Sequence, residues 1–384
     1  MKKTGTWAEI NLENLEYNLC QIKKSLNSET KICGVVKANA YGHGAVEIAK
    51  FLEYKNIDYL SVARIEEALE LRLNGIKKPI LCMGASNIDF IEDAIRNDIS
   101  LTVFDIDTAH LINEKAVQID KIAKIHIKIN SGMNRIGFKP CSNSIEQIIL
   151  INKLKNIKIE GAFTHFAKAD ELDKTETYKQ FNIFKSIVEE LEYRGVNFEL
   201  KHVSNSASII DLKELGFNMV RAGIAMYGMY PSSEVQHIPL KPLLKLKTKV
   251  VDSKIISNGE SVSYGYNFTA DKDTQIATLS IGYADGFPRT QKNGVVIVHN
   301  NKILKKGEIV GNICMDQCMI KIDGLDLIPR NSIVSIIDEF DGLTSDDIAK
   351  RINTINYEIT CMISRRVSRI YYYKNKEYIK NYLF

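Results

Sequence analysis

The stretch ICGVVKANAYGHG, residues 32–44, decides how the rest of the chain is read. An apolar run meets Lys37 and then breaks into a loop of small residues carrying Tyr41 and two glycines. A lysine that ends an apolar strand is unusual, because burying an ammonium costs several kcal/mol unless its charge is managed. Two readings follow: the side chain snorkels to a rim, or it is a Schiff-base lysine that removes its charge by condensing with a carbonyl. Outward from this stretch, short apolar runs recur at Tyr59–Ala63, Pro79–Gly84, Leu101–Phe104, Lys124–Ile129, Ile159–Phe166, Phe198–Ser204 and Met219–Ala225, with Ile32–Ala38 as the first of the series. Helical spacing fills the gaps, as in Glu176–Arg194, where Phe181, Phe184, Ile187, Val188 and Leu191 share a face.

Strands alternating with helices predict an α/β fold, a (β/α)8 TIM-type barrel, because parallel strands need crossovers and helices cover the outside. An open doubly wound sheet is the alternative, but no glycine-rich GxGxxG turn follows any strand. Beyond Leu240 the pattern changes to alternating segments such as LKLKTKVVDSKII, TQIATLSIGYA and CMIKI, with little helical spacing until about Ser345. The expectation is a barrel over residues 1–240 followed by a β-rich C-terminal domain over 241–384.

The 384 residues include 51 basic and 47 acidic ones scattered along the chain, for a net charge of +4. Without a basic run or stripe, neither nucleic acid nor membrane is an expected partner. The N-terminus lacks a signal-peptide core and no segment has 18 uninterrupted apolar residues, so the expected location is cytoplasmic. Seven cysteines make an odd set without a CxxC pair, and no histidine accompanies Cys314 and Cys318, so the reading is reduced thiols and no metal.

Barrel chemistry sits at the carboxyl ends of the strands, and reactive side chains gather there. In KIHIKIN, Ile125, Ile127 and Ile129 point one way while His126, Lys128 and Asn130 point the other. Lys128 then projects either into the barrel or onto a solvated face, and SGMNRIG delivers Arg135. Thr164-His165 end the sixth strand, His202, Asn205 and Ser206 follow the seventh, and Arg221 lies on the eighth. Arg221 either works on a ligand or holds up its strand by bonding carbonyls. Gly223 and Ser206 fall where barrel enzymes often seat a phosphate.

Taken in order, VVKANAYGHG, SGMNRIGF, FTHFA, HVSNSA, MVRAGI, SYG (Ser263 to Gly265), IGYADGFPR, ICMDQ and INYE span nearly the whole chain, and this set resembles the bacterial alanine racemases, fold-type III pyridoxal-phosphate enzymes. The resemblance implies a pyridoxal 5′-phosphate-dependent isomerase that interconverts L- and D-alanine by a two-base mechanism and supplies D-alanine for peptidoglycan. It implies Lys37 as the Schiff-base lysine and one base, with Tyr264 as the opposing base. It also implies a homodimer with shared active sites, in which Tyr264, Met315 and Tyr283 come from the partner chain. By position, Tyr41, Ser206, Gly223, Ile224 and Tyr357 match the phosphate side, and Arg221, backed by His165, matches the partner of the pyridine nitrogen. Arg135, Met315 and Tyr283 match substrate-binding positions, and Lys128 matches a lysine that relatives often carbamylate.

The chain departs from its relatives beside Arg135, where Asn130-Ser131 stand in place of a common Asp-Thr and Asn134 replaces a common glycine. The loss of an acceptor charge there weakens the carbamylation inference. Other readings of the residues are a racemase of the same family that prefers serine or a wider set of amino acids, a decarboxylase on the same barrel, and a non-catalytic pyridoxal-phosphate carrier.

Overall fold

Runs rich in Val, Ile and Leu, such as Tyr59–Val62, Ile80–Cys82 and Ile99–Val103, are buried at every position, as strands of a parallel sheet covered on both faces must be. The computed structural model describes residues 4–235, 238–300 and 303–382; the outer ends of both expected domains, Met1 and Phe384, lie outside them. In it these runs belong to an eight-stranded parallel sheet completed by Lys31–Val35, Ala123–Lys128, Ile157–Phe163, Leu200–His202 and Met219–Ala222. Met219–Ala222 pairs with Lys31–Val35 on one side. On its other side the Arg221 N–H donates to the Ser204 carbonyl at 3.0 Å, which closes the barrel. Helices follow the strands on the outside. Thr175–Tyr193 turns Thr177, Gln180, Phe184, Val188 and Leu191 inward at spacings of three and four.

Two observations differ from the expected elements. The first strand stops at Val35, two residues short of Lys37. And the N-terminal strand Trp7–Asn11, which the 1–240 boundary assigns to the barrel, pairs instead within the second unit: antiparallel to Leu244–Ile256 and parallel to Ser368–Tyr373. Its apolar residues Trp7, Ala8 and Ile10 are all buried, so five residues ahead of the first helix act as a sheet strand. Tyr41–His43 also group with this unit, while the barrel unit runs through Leu15–Ala40 and Gly44–Lys241.

The second unit is built on a nine-stranded sheet. Leu244–Ile256 alternates Leu244, Leu246, Thr248 and Val250 inward with lysines between them. The same long strand pairs with both Ile333–Ile337 and Thr274–Leu279. A ring of six strands therefore closes through Cys318–Ile322, Ile303–Val310 and Val295–Asn300. Two short helices, Ser345–Arg351 and Asn356–Cys361, follow it.

One barrel glycine is required by close approach. A Cβ at Gly161 would lie 2.6 Å from the Leu200 carbonyl oxygen and 2.8 Å from His126 Nδ1. The backbone oxygen cannot move without breaking the adjacent strand, so Gly161→Ala should cost about 1–3 kcal/mol. The expected outcome is a lower urea midpoint at unchanged slope; an unchanged midpoint would refute the crowding.

Candidate active site

Lys37 opens a turn of unusual handedness. Ala38, Asn39, Ala40 and Tyr41 all have φ between 52° and 54°, a left-handed turn built without glycine. Each such residue costs roughly 1–2 kcal/mol, so the surroundings must impose the turn. They do so through Glu67, whose carboxylate accepts the N–H groups of Ala38 at 2.6 Å, Ala63 at 2.8 Å and Arg64 at 3.1 Å. The Asn39 carboxamide oxygen accepts the Ala45 N–H at 2.9 Å, which starts the next helix. The turn throws Lys37 off the strand end, where its side chain is only partly buried.

Arg221 is the hub of the rim. Its guanidinium is 3% exposed and donates to the carbonyls of His202, Val203 and Thr164 at 2.9, 3.0 and 2.8 Å. It also donates to His202 Nδ1 at 2.8 Å and His165 Nδ1 at 3.2 Å. Among the described residues no carboxylate bonds it. Burial pushes the guanidinium down to about 10, with Arg135 adding to the effect and Cys33 opposing it, so it remains charged at neutral pH. The carbonyl-bonding reading of Arg221 is therefore realised.

The donors that have no choice fix the hydrogens behind Arg221. Because the guanidinium only donates, His202 Nδ1 accepts and His202 Nε2 carries the proton. That proton reaches His126 Nδ1 at 2.9 Å, so His126 Nε2–H in turn points at the Glu160 carboxylate, 3.0 Å away. Tyr59 and Ser100 bond the same carboxylate oxygen at 2.6 and 2.8 Å. Burial alone would raise Glu160, but the bonds from His126, Tyr59 and Ser100 outweigh it and hold the carboxyl at about 2. A carboxylate and a guanidinium thus stand at opposite ends of two imidazoles inside the barrel. Burial, and then the Arg221 charge, holds His202 and His165 well below the usual imidazole range. The Lys37 charge is among those acting on His165.

Lys128 lies inside the barrel, 5% exposed, with its ammonium 4.5 Å over the Phe163 ring. Burial, then Arg221 and Arg135, holds it well below the ordinary lysine range. Arg135 itself is exposed. The departure beside it has its own structure: the Asn130 oxygen accepts the N–H groups of Gly132 and Asn134, and Ser131 bonds the Thr164 hydroxyl at 2.7 Å. On the far side of the rim, the Ser206 hydroxyl accepts the N–H groups of Gly223 at 3.1 Å and Ala225 at 3.3 Å, and Ile224 is buried beside them.

The remaining expected residues lie in the second unit. Tyr41 and Tyr357 are ring neighbours with centroids 6.0 Å apart. Tyr264, Met315 and Tyr283 are 74%, 54% and 42% exposed. The Tyr264 turn is tied at two points by Asn312, which donates to the Tyr264 carbonyl at 2.7 Å and accepts from the Ser263 hydroxyl at 2.6 Å. Sequence reading did not single out Glu67, Glu160 or Asn312. Glu160 carried a signal, an acid inside the apolar run IEGAF, whereas Glu67 and Asn312 carried none. Cys318 is buried, and among the described residues no group of three or more His, Cys, Asp or Glu side chains could hold a metal.

Comparison with known proteins follows the same two units. Residues 10–231 match the family described as alanine racemase, N-terminal domain, and residues 243–371 match alanine racemase, C-terminal domain. The chain is 45% identical to the alanine racemase of Clostridium tetani over 95% of each chain. The solved alanine racemase of Clostridium difficile 630 superposes with a TM-score of 0.96 at 48% identity, over 100% of both chains. That of Bacillus anthracis, with bound L-Ala-P, superposes at 0.94 and 35% identity, over 100% of this chain and 99% of that one. Carrying both domains in order and matching such relatives along almost its full length, the chain belongs to the alanine racemase family.

Proposed function

We propose that the chain interconverts L- and D-alanine with pyridoxal 5′-phosphate carried on Lys37, as a homodimer whose active sites each draw on both chains. The observation that carries this reading is the Lys37 amine sharing a barrel rim with Arg221, a buried guanidinium bonded only by imidazoles and carbonyls. The donor set fits the cofactor: an amine for its aldehyde, a guanidinium for its ring nitrogen, and for its phosphate the Ser206 hydroxyl, whose oxygen is held by the Gly223 and Ala225 amides and whose hydrogen is left to donate. Ile224, Tyr41 and Tyr357 complete the phosphate side.

The bound cofactor withdraws electron density from the substrate Cα and so acidifies its proton. Arg221 gives the ring nitrogen a hydrogen bond but, at a pKa of about 10, no proton. That limits the electron sink and favours prompt return of the proton. Lys37 Nζ moves the proton on one face of Cα and the Tyr264 hydroxyl of the other chain moves it on the opposite face. His165 accepts from Arg221 through Nδ1 and so presents Nε2–H; a donor there stabilises the phenolate that Tyr264 needs to act as a base. Arg135, with Met315 and Tyr283 of the other chain, holds the substrate.

Three exposed residues of the second unit, all assigned to substrate or proton transfer, support a shared site. Among the described residues no helix is long and apolar enough to cross a membrane. A cytoplasmic enzyme that supplies D-alanine for peptidoglycan is consistent with that. Lys128, whose burial beside Arg221 and Arg135 disfavours the charged ammonium, is placed to act as a nucleophile toward carbon dioxide. Its nitrogen would bond the carbon and lose a proton, giving a carbamate anion beside Arg135.

Each base contributes roughly 10²–10⁴-fold, so Lys37→Ala and Tyr264→Phe homodimers should each be nearly inactive in polarimetry with L- or D-alanine. Mixed under conditions of subunit exchange, the two should recover activity far above either parent. Proven exchange without recovery would count against the shared site. For Lys128, protein equilibrated with ¹³C-bicarbonate should show a carbamate carbon that Lys128→Ala removes; its absence at saturating bicarbonate would end that assignment.

Glu160 supports Arg221 from a distance. Glu160→Leu leaves the His126 N–H without an acceptor and removes the counter-charge, a loss of about 1–3 kcal/mol for the buried network. The expected result is roughly a tenfold lower kcat, with borohydride labelling still placed on Lys37. Glu160→Gln, which keeps an acceptor, should recover part of the rate. Equal activity in all three proteins would show that the imidazole chain is only structural.

A further inference from the structure

The two substrate-side loops of the second unit are strapped by one side chain that no assigned role includes. Arg366 donates from Nε to Asp285 Oδ1 at 2.9 Å and from its terminal nitrogen to Asp316 Oδ1 at 2.8 Å. Asp285 follows Tyr283 in YADG, and Asp316 follows Met315 in CMDQ. The two carboxylates differ in setting: the Asp285 side chain is 7% exposed, that of Asp316 59%. Asp285 is also the inner brace of its own turn, since its second oxygen accepts the Gly282 N–H at 2.9 Å and its carbonyl accepts the Ser364 N–H at 3.1 Å.

The loops are joined directly as well. The Tyr283 N–H donates to the Cys314 carbonyl at 3.1 Å, and the Ala284 N–H to the Met315 carbonyl at 3.0 Å. Their backbones approach so closely that a Cβ at Gly282 would lie 2.3 Å from the Met315 carbonyl oxygen. These two amide bonds join loops whose Tyr283 and Met315 side chains are 42% and 54% exposed. A planar guanidinium that spans both carboxylates supplies a third, sideways restraint, which a single ammonium cannot span in the same geometry.

We propose that Arg366 is a positioning residue that sets the distance between Tyr283 and Met315, and thereby the width of the opening that admits the substrate side chain. The proposal rests on the racemase reading for its substrate, but the strap itself does not. A small amino acid is favoured because the two loops cannot part. When the strap is loosened, Tyr283 and Met315 separate, alanine loses contacts, and an amino acid with a larger side chain is penalised less.

The test compares holoenzyme with Arg366→Met and Asp316→Asn holoenzymes. Amide hydrogen exchange at Tyr283 and Ala284 should speed up about tenfold in Arg366→Met, since local opening is then less costly. KM for alanine should rise several-fold with a smaller change in kcat, and the serine-to-alanine ratio of kcat/KM should rise roughly fivefold, within the range a pocket gains or loses over one small group. Asp316→Asn removes the charge from only the exposed arm and so weakens it; it should move the same quantities in the same direction by less, so the test survives if Arg366→Met folds poorly. Unchanged exchange at both amides in a folded variant would overturn the strap. Faster exchange with unchanged KM and serine ratio would overturn the positioning role. A wild-type chain that racemises no alanine would instead sink the functional reading, while the exchange experiment still decided whether the strap exists.

Discussion

A guanidinium buried without a carboxylate is the constraint around which the barrel end is organised. A charge of that kind is tolerable only if every donor is satisfied and enough dipoles point at it. The two terminal nitrogens of Arg221 find three carbonyls and two imidazole nitrogens drawn from the ends of neighbouring strands. Those bonds fix more than the arginine. They hold the ends of the sixth and seventh strands in register, they set the tautomers of His202 and His126, and they leave His165 with a proton to donate. The counter-charge sits at Glu160, beyond two neutral rings, so the positive field at the rim is retained. A carboxylate in direct contact would have cancelled it.

The Lys37 turn applies the same economy to backbone geometry. Four left-handed residues without glycine are unfavourable in isolation, and the Glu67 carboxylate makes them the arrangement that satisfies three amides at once. The result is an amine held off the strand end by backbone shape, its side chain only partly buried. Strain of this kind collects where a side chain must be presented and not packed.

The barrel strands were legible because each is an apolar run bounded by helical spacing, and the period of two in KIHIKIN located His126 and Lys128 correctly on the inner face. Boundaries were less so. The first strand reads on through Val36 and Lys37 to Ala38 because nothing in the residues ANA announces a left-handed turn; the carboxylate that imposes it lies 30 positions downstream of Lys37, at Glu67. The strand Trp7–Asn11 has the apolar content of an edge piece of either unit, and only its two pairings assign it to the second. Among the proposed site residues, those assigned a role through their own type and position (Lys37, Arg221, Tyr264) could be named from the motifs. Glu160, Asn312 and Arg366 act by holding something else, through hydrogen bonds to residues distant in sequence, and spacing along the chain does not record such bonds.

The two units divide the work by how each fixes its side chains. In the barrel, Arg221, His202 and Lys128 are buried and their titration is shifted by burial and by one another: Arg221 lowered to about 10 and still charged, His202 and Lys128 held well below their ordinary ranges. In the second unit the corresponding residues are exposed, and order is supplied from the backbone side, by Asn312 beneath Tyr264 and by paired amides beneath Tyr283 and Met315. Removing and returning a proton on opposite faces of one carbon requires two groups that approach from opposite directions, and groups fixed to one set of strand ends approach from one side only. The proposed two-base reaction therefore asks for a second, separately braced surface besides the barrel rim, the role proposed for the exposed loops that carry Tyr264, Tyr283 and Met315.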